Sequence, residues 1–190
     1  MKKKFLYSIA LVALSVTLYS YDLPKGWHTA GSESSSYDIG IDKGAGRDGK
    51  NVATIKSIKK SITGFGTLMQ SSVPDKYLGK RVRMTGLVKS ENVKNWAGLW
   101  FRVDQNGTEN RLGFDNMENR PIKGTNDWKR YEIVLEVPSN ASNLAYGALI
   151  VGTGQVWFDD IQFEIVDNSV SVTGSPLKIL QEPQNLNFED

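Results

Sequence analysis

Apolar and polar positions alternate with a period of two through most of the chain, and this pattern outcompetes the 3.6-residue spacing of helices. In the segment 81–88, Val82, Met84 and Val88 fall on one face while Arg83 and Thr85 fall on the other. In 96–104, Ala97, Leu99, Phe101 and Val103 form a complete apolar face. Trp96, Trp100, Arg102 and Asp104 share the reverse face, which is polar apart from two indoles. In 131–137, Tyr131, Ile133, Leu135 and Val137 again point one way. Successive side chains of a strand project to opposite sides, so the pattern predicts strands that each seal one face against a core. Further strands are predicted over 51–58, 66–71, 144–151 and 156–165, with Asp159-Asp160 marking a bulge in the last. Turn residues separate them at 44–49, Pro74-Asp75, Asn106-Gly107, 121–124, 138–140 and 152–154. The helix-like spacing Ile55, Ile58, Ile62 is cut short by Gly64 and Gly66. The expected fold is all-β, an antiparallel β-sandwich in which two sheets let each strand bury one face.

The N-terminus departs from this pattern. Lys2, Lys3 and Lys4 precede an apolar run from Phe5 to Leu18 that stops at Tyr19-Ser20-Tyr21-Asp22. A positive stub before a short apolar stretch predicts a bacterial export signal over 1–20 and a secreted or periplasmic domain over 21–166. The run is shorter than the roughly 20 residues of a membrane span; if the segment is retained instead of cleaved, it serves as a membrane anchor. Residues 167–190, with weak periodicity and two prolines, are expected to form a linker or a strap across the surface. The 23 basic residues less the three N-terminal lysines, set against 21 acidic ones, leave the remainder with a net charge near −1. That balance carries no basic footprint for nucleic acid. The absence of cysteine rules out thiolate nucleophiles, thiolate zinc sites and lipid attachment at cysteine, and a single histidine rules out multi-histidine metal clusters.

Three runs carry a resemblance: Tyr77-Leu78-Gly79-Lys80-Arg81-Val82-Arg83-Met84-Thr85-Gly86; Asp127-Trp128-Lys129-Arg130-Tyr131 with Val137-Pro138; and Gly152-Thr153-Gly154-Gln155-Val156-Trp157-Phe158-Asp159-Asp160-Ile161. They resemble the galactose-binding-like jelly roll widely used by carbohydrate-binding modules. The central run 96–104, with Phe114-Asp115-Asn116-Met117 and Arg120-Pro121-Ile122, is similar to a bacterial group often labelled as transcriptional regulators. That label implies DNA binding, but the matching region contains no helix-turn-helix pattern. Domains of the jelly-roll group usually begin with a strand resembling Asn-Leu-Asp-Phe-Glu. Here Asn185-Leu186-Asn187-Phe188-Glu189 stands at the opposite end, so 185–189 is expected either to supply an edge strand or to begin a second module.

The resemblance implies carbohydrate binding, which requires a planar apolar platform for sugar rings and fixed polar groups for hydroxyls. The reverse face of 96–104 offers this mixture: Trp96, Trp100 and Arg102, flanked by Gln70, Arg83, Asp115 and Asn116, are the candidate ligand-binding residues. The expected function is that of an exported, non-catalytic binding module for carbohydrate or another extracellular ligand. The alternative is a structural or protein-interaction domain of the cell envelope. Jelly rolls of this kind often hold a buried calcium, and the resemblance assigns Asp160 and Glu189 as its providers. A looser calcium candidate is the acidic stretch Asp38-Ile39-Gly40-Ile41-Asp42 with Asp48, taken as a loop. Catalysis has less support. Glu132 and Glu136 share a strand surface, and His28 stands without a nucleophile-elbow serine. Asn106-Gly107-Thr108 and Asn140-Ala141-Ser142 fit the glycosylation pattern, but Asn106-Gly107 is more simply a hairpin turn.

Overall fold

The computed structural model describes residues 20–105 and 111–174. Nine strands are formed among them: β1 (His28–Ala30), β2 (Tyr37–Asp42), β3 (Val52–Ser57), β4 (Phe65–Ser72), β5 (Lys80–Asp104), β6 (Arg111–Asp115), β7 (Ile122–Val137), β8 (Asn143–Val151) and β9 (Gln155–Val166). Every pairing is antiparallel, in the order β1-β4-β8-β5-β9-β3-β2, with β6 and β7 also paired to β5. The helical segments of the described residues are three-residue 3-10 turns.

Strand β5 explains how one hydrogen-bonded path makes two layers. Its first half, from Lys80 to Glu91, pairs with β7 and β9, and its second half, from Trp96 to Asp104, pairs with β8 and β6. Between Val88 and Ala97 the register against β7 shifts three times, and Asn92 adopts a positive φ of 53°. Bulges of this kind bend a strand and let it switch sheets. Alternation therefore predicts the two arms as separate strands and misses the corner that joins them.

The core lies between the layers. Val82, Met84, Leu99, Phe101 and Val103 of β5 are fully enclosed, with Ile133 and Leu135 of β7, Leu144 and Ile150 of β8, and Phe158 of β9. Phe163 is edge-on to Phe101 at 5.4 Å and to Tyr146 at 4.7 Å, the tilted geometry that aromatic quadrupoles favour. Tyr37 donates its hydroxyl to the Gly152 carbonyl at 2.8 Å, and burial pushes its pKa up to about 12.

The structure corrects several expectations. The stretch 38–42 is not a loop: Tyr37 and Ile39 are buried, and the segment pairs with β3 from Tyr37↔Ser57 to Asp42↔Val52. Its carboxylates have structural partners instead, Asp38 accepting from the Tyr21 N–H at 3.1 Å and Asp42 from the Trp157 indole N–H at 2.8 Å. The short strand β6 carries too few residues for a visible period, so alternation does not predict it. The Asp159-Asp160 bulge is present: Thr85 pairs with Gln162 but Leu87 with Asp159, and Asp160 adopts a φ of 54°. Of the expected linker or strap over 167–190, residues 167–174 are described and bond to β5 and β7. The Arg81 guanidinium bonds the Val170 carbonyl at 2.6 Å, and the Thr173 N–H bonds the Val134 carbonyl at 3.0 Å. The expected signal segment up to Tyr19, the Asn106-Gly107 turn with its sequon, and the 185–189 strand lie outside the described residues.

Candidate ligand-binding groove

Residues directly opposite in neighbouring strands share a face, so the register of β1, β4, β8, β5 and β6 lays out their outer surface row by row. Phe65, Val151 and Trp96 form one row; Ala30, Thr67, Leu149 and Gly98 the next. His28, Met69, Gly147 and Trp100 follow, and then Ser71, Ala145, Arg102 and Phe114. Asn143, Asp104 and Arg111 close the series. A groove of about 460 Å³ runs over this surface, with Trp96, Trp100, Arg102, Arg111, Phe114 and Asn116 in its walls and floor.

The two indoles are on the outward face, as parity predicts, but they are not equally free. Trp100 is only 6% exposed and belongs to a small apolar cluster with Ala145 and Leu149, separate from the main core. Its indole N–H donates to Thr67 Oγ1 at 2.8 Å, so the side chain reaches from β5 across β8 to β4. Thr67 in turn donates to the Ala148 carbonyl at 2.7 Å, which fixes the acceptor lone pair toward the indole. Strand β8 crosses beneath at Gly147, where a Cβ would stand 2.1 Å from the Leu68 carbonyl oxygen, closer than any side chain tolerates. Trp100 is therefore an oriented floor and not the open platform expected. Trp96, half-buried on the same face and packed against that cluster, is the indole with accessible surface.

The other expected residues divide. Arg102 lies in the groove, its Nε held by Asp104 at 2.9 Å, and Asp104 also accepts from the Asn143 amide at 3.0 Å. Asn116 lines the groove and accepts the Glu118 N–H in a local turn. Gln70 is on the inward parity of β4, opposite Tyr146; it accepts the Tyr146 hydroxyl at 2.7 Å and donates to the Gly26 carbonyl. Arg83 is in the other layer, on the first half of β5, between Glu132 at 3.4 Å and Glu164 at 2.9 Å. Asp115 pairs opposite Phe101 and faces away from the groove. It accepts from Arg120 at 2.7 Å, from the Thr173 hydroxyl at 2.6 Å and from the Met117 N–H at 2.8 Å. Burial pushes the Asp115 carboxyl up, but these donors outweigh it and hold the group below its ordinary value.

Residues that sequence reasoning missed supply most of the floor and one wall: Phe65, Thr67, Met69, Leu149, Phe114 and Arg111. One signal was available. The segment Leu144 to Val151 is apolar at nearly every position, which marks a strand covered on both faces.

A calcium ion needs free oxygen donors. Asp160 Oδ2 accepts from Arg130 at 2.7 Å and Oδ1 from Gln162 at 2.6 Å; the Arg130 guanidinium holds its carboxyl below the ordinary range. Both oxygens are engaged, and no three His, Cys, Asp or Glu residues cluster for a metal among the described residues. Asp160 as placed does not fit a calcium ligand, while Glu189 lies outside the described residues.

No protein-family model matches the chain. A curated relative from Bacillus subtilis (strain 168), described as an uncharacterized HTH-type transcriptional regulator, is 43% identical over 169 residues, 87% of this chain and 57% of the relative. The chain thus spans little more than half of that relative. Among solved structures, the xylan-binding CBM22-1 domain of Paenibacillus barcinonensis Xyn10C is similar with a TM-score of 0.52 at 16% identity, over 76% of this chain and 88% of that one. The enzymatically active domain of a tailspike protein from bacteriophage CBA120 is similar with a TM-score of 0.56 at 10% identity, over 75% of this chain but 20% of that one. In fold, the chain is an antiparallel β-sandwich, similar to both of these solved structures.

Proposed function

We propose that the protein is an exported, non-catalytic module that binds carbohydrate in the groove over β4, β8, β5 and β6. The observation that carries this reading is the pairing of an accessible indole with a fixed floor. Trp96 presents its ring beside a Trp100 that is hydrogen-bonded in place, and Arg102, Arg111 and Asn116 bring donors and an amide to the same groove. A sugar ring stacks its C–H face on an aromatic while its hydroxyls bond at the rim. Because the walls are set by sheet register, little conformational entropy is lost on binding. The xylan-binding module of similar fold supports the reading, as do the positive stub and apolar run at the N-terminus.

The test is affinity electrophoresis through gels containing a panel of plant and bacterial polysaccharides. Retardation of the wild type should be lost in Trp96→Ala and kept in Trp128→Ala, which lies on β7 outside the groove. If no polysaccharide retards the wild type, carbohydrate binding is wrong. The apolar floor of Phe65, Met69, Leu149 and Val151 favours a second reading, a protein-interaction domain of the envelope. A defined oligomer in size-exclusion chromatography, dissolved by Trp96→Ala, would select it.

A further inference from the structure

The charges in the groove are not balanced. Among the described residues its lining contains two guanidinium groups, Arg102 and Arg111, against one carboxylate beside them on the same face, Asp104. Asp104 engages Arg102 through Nε. Arg111 forms no ion pair among the described residues; its guanidinium sits 5.2 Å from the Phe114 ring, a cation–π contact that orients the group without neutralising it. Of the other described carboxylates nearby, Asp115 faces Arg120, and Glu118 lines an adjoining depression that Arg111 also borders. The outer face of the other layer shows the contrast, since Arg81, Arg83 and Arg130 there are each matched by an acid.

We infer that the ligand is an anionic glycan, and that Arg111, with Arg102 beside it, takes an acidic substituent while the sugar face rests on Trp96. The inference rests on the carbohydrate reading above and specifies its ligand class. Arg102 and Arg111 sit on adjoining strands at one end of the groove, since Arg102 pairs with Phe114 and Asp104 with Arg111. A guanidinium binds carboxylate and phosphate oxygens bidentately, so the acid can come from a uronic acid or from a phosphorylated sugar. Over an apolar floor such a bond is screened by salt less than an open surface contact would be, but it remains salt-sensitive.

The experiment uses the full chain and three probes in affinity electrophoresis: polygalacturonate, its methyl ester of identical backbone but no charge, and phosphomannan. Retention by at least one acidic probe should exceed that by the ester by about tenfold, the equivalent of one charge-assisted hydrogen-bonded contact. Arg111→Gln should bring the ratio near one while leaving the melting temperature unchanged, and about 0.5 M salt should weaken acidic retention selectively. Preference for polygalacturonate identifies a carboxylate ligand and preference for phosphomannan a phosphate one. Equal retention on the ester, lost in Trp96→Ala but indifferent to Arg111→Gln, overturns the anionic inference and leaves carbohydrate binding standing. Retention on none of the probes, nor on any neutral glycan, overturns both.

Discussion

The hydrogen bond that fixes the groove floor gives the sharpest stability prediction. Thr67→Val preserves the shape of the side chain and removes only its hydroxyl. The change leaves the Trp100 indole N–H, now at 2.8 Å from an acceptor, without a partner under a side chain that is 6% exposed. It also removes the donor to the Ala148 carbonyl. A buried donor left unmet costs about 1–3 kcal/mol, and we take about 2 kcal/mol for the pair. For a domain of this size that corresponds to a fall in melting temperature of roughly 4–8 °C. Differential scanning calorimetry measures the fall directly, and near-ultraviolet circular dichroism reports whether the indole loses its fixed environment. Trp100→Phe completes a double-mutant cycle: in the phenylalanine background, where no N–H is orphaned, Thr67→Val should cost about 1 kcal/mol less. A Thr67→Val melt within about 1 °C of the wild type, or a cycle with no coupling, would show that the indole is not held from β4 and would remove the argument for an oriented floor.

Asp115→Asn should lower stability by about 2–3 kcal/mol, because it leaves Arg120 without its counter-charge beside a buried site, and denaturant unfolding would show it. The same carboxyl sets an acid limit. Its native pKa is held below the unfolded value, so the native state binds fewer protons; the stabilisation is complete above about pH 4 and is lost as pH falls through the lower native value. A pH series of melts should therefore be flatter below about pH 4 in Asp115→Asn than in the wild type. For calcium, the engagement of both Asp160 oxygens predicts that melts in excess chelator and in millimolar calcium coincide; a rise of several degrees with calcium would mean that Asp160 leaves Arg130 to bind the ion.

What could be read from the sequence was parity, and what could not was everything that depends on distant partners. The inward face of 97–103 and the outward position of both indoles follow from alternation alone, because a strand that seals one face has no freedom in the other. Parity also places Gln70 inward once Leu68 is taken as core, two positions before it on the same strand. By contrast, nothing local announces that Trp100 meets Thr67, 33 residues earlier, or that Asp115 is closed off by Thr173, 58 residues later. The corner of β5 was illegible for a different reason: bulges break the period that makes strands visible.

The location of the site follows from how the two layers treat their outward faces. On the β5–β7–β9 layer, arginines lie beside acids, Arg81 with Glu136, Arg83 with Glu132 and Glu164, Arg130 with Asp160. Such exposed pairs contribute little energy, and they offset each other's charge. On the β4–β8–β5 layer the same alternating positions carry Phe65, Met69, Leu149, Val151 and two indoles, with guanidinium groups confined to the rim. A solvent-facing sheet surface gains nothing in stability from holding that much apolar area at a groove, and the Trp100–Thr67 bond keeps its shape fixed before anything binds. That apolar face, with Trp96 accessible and Arg111 stacked on Phe114 at its groove, is the one whose chemistry suits the stacking and charge contacts proposed above.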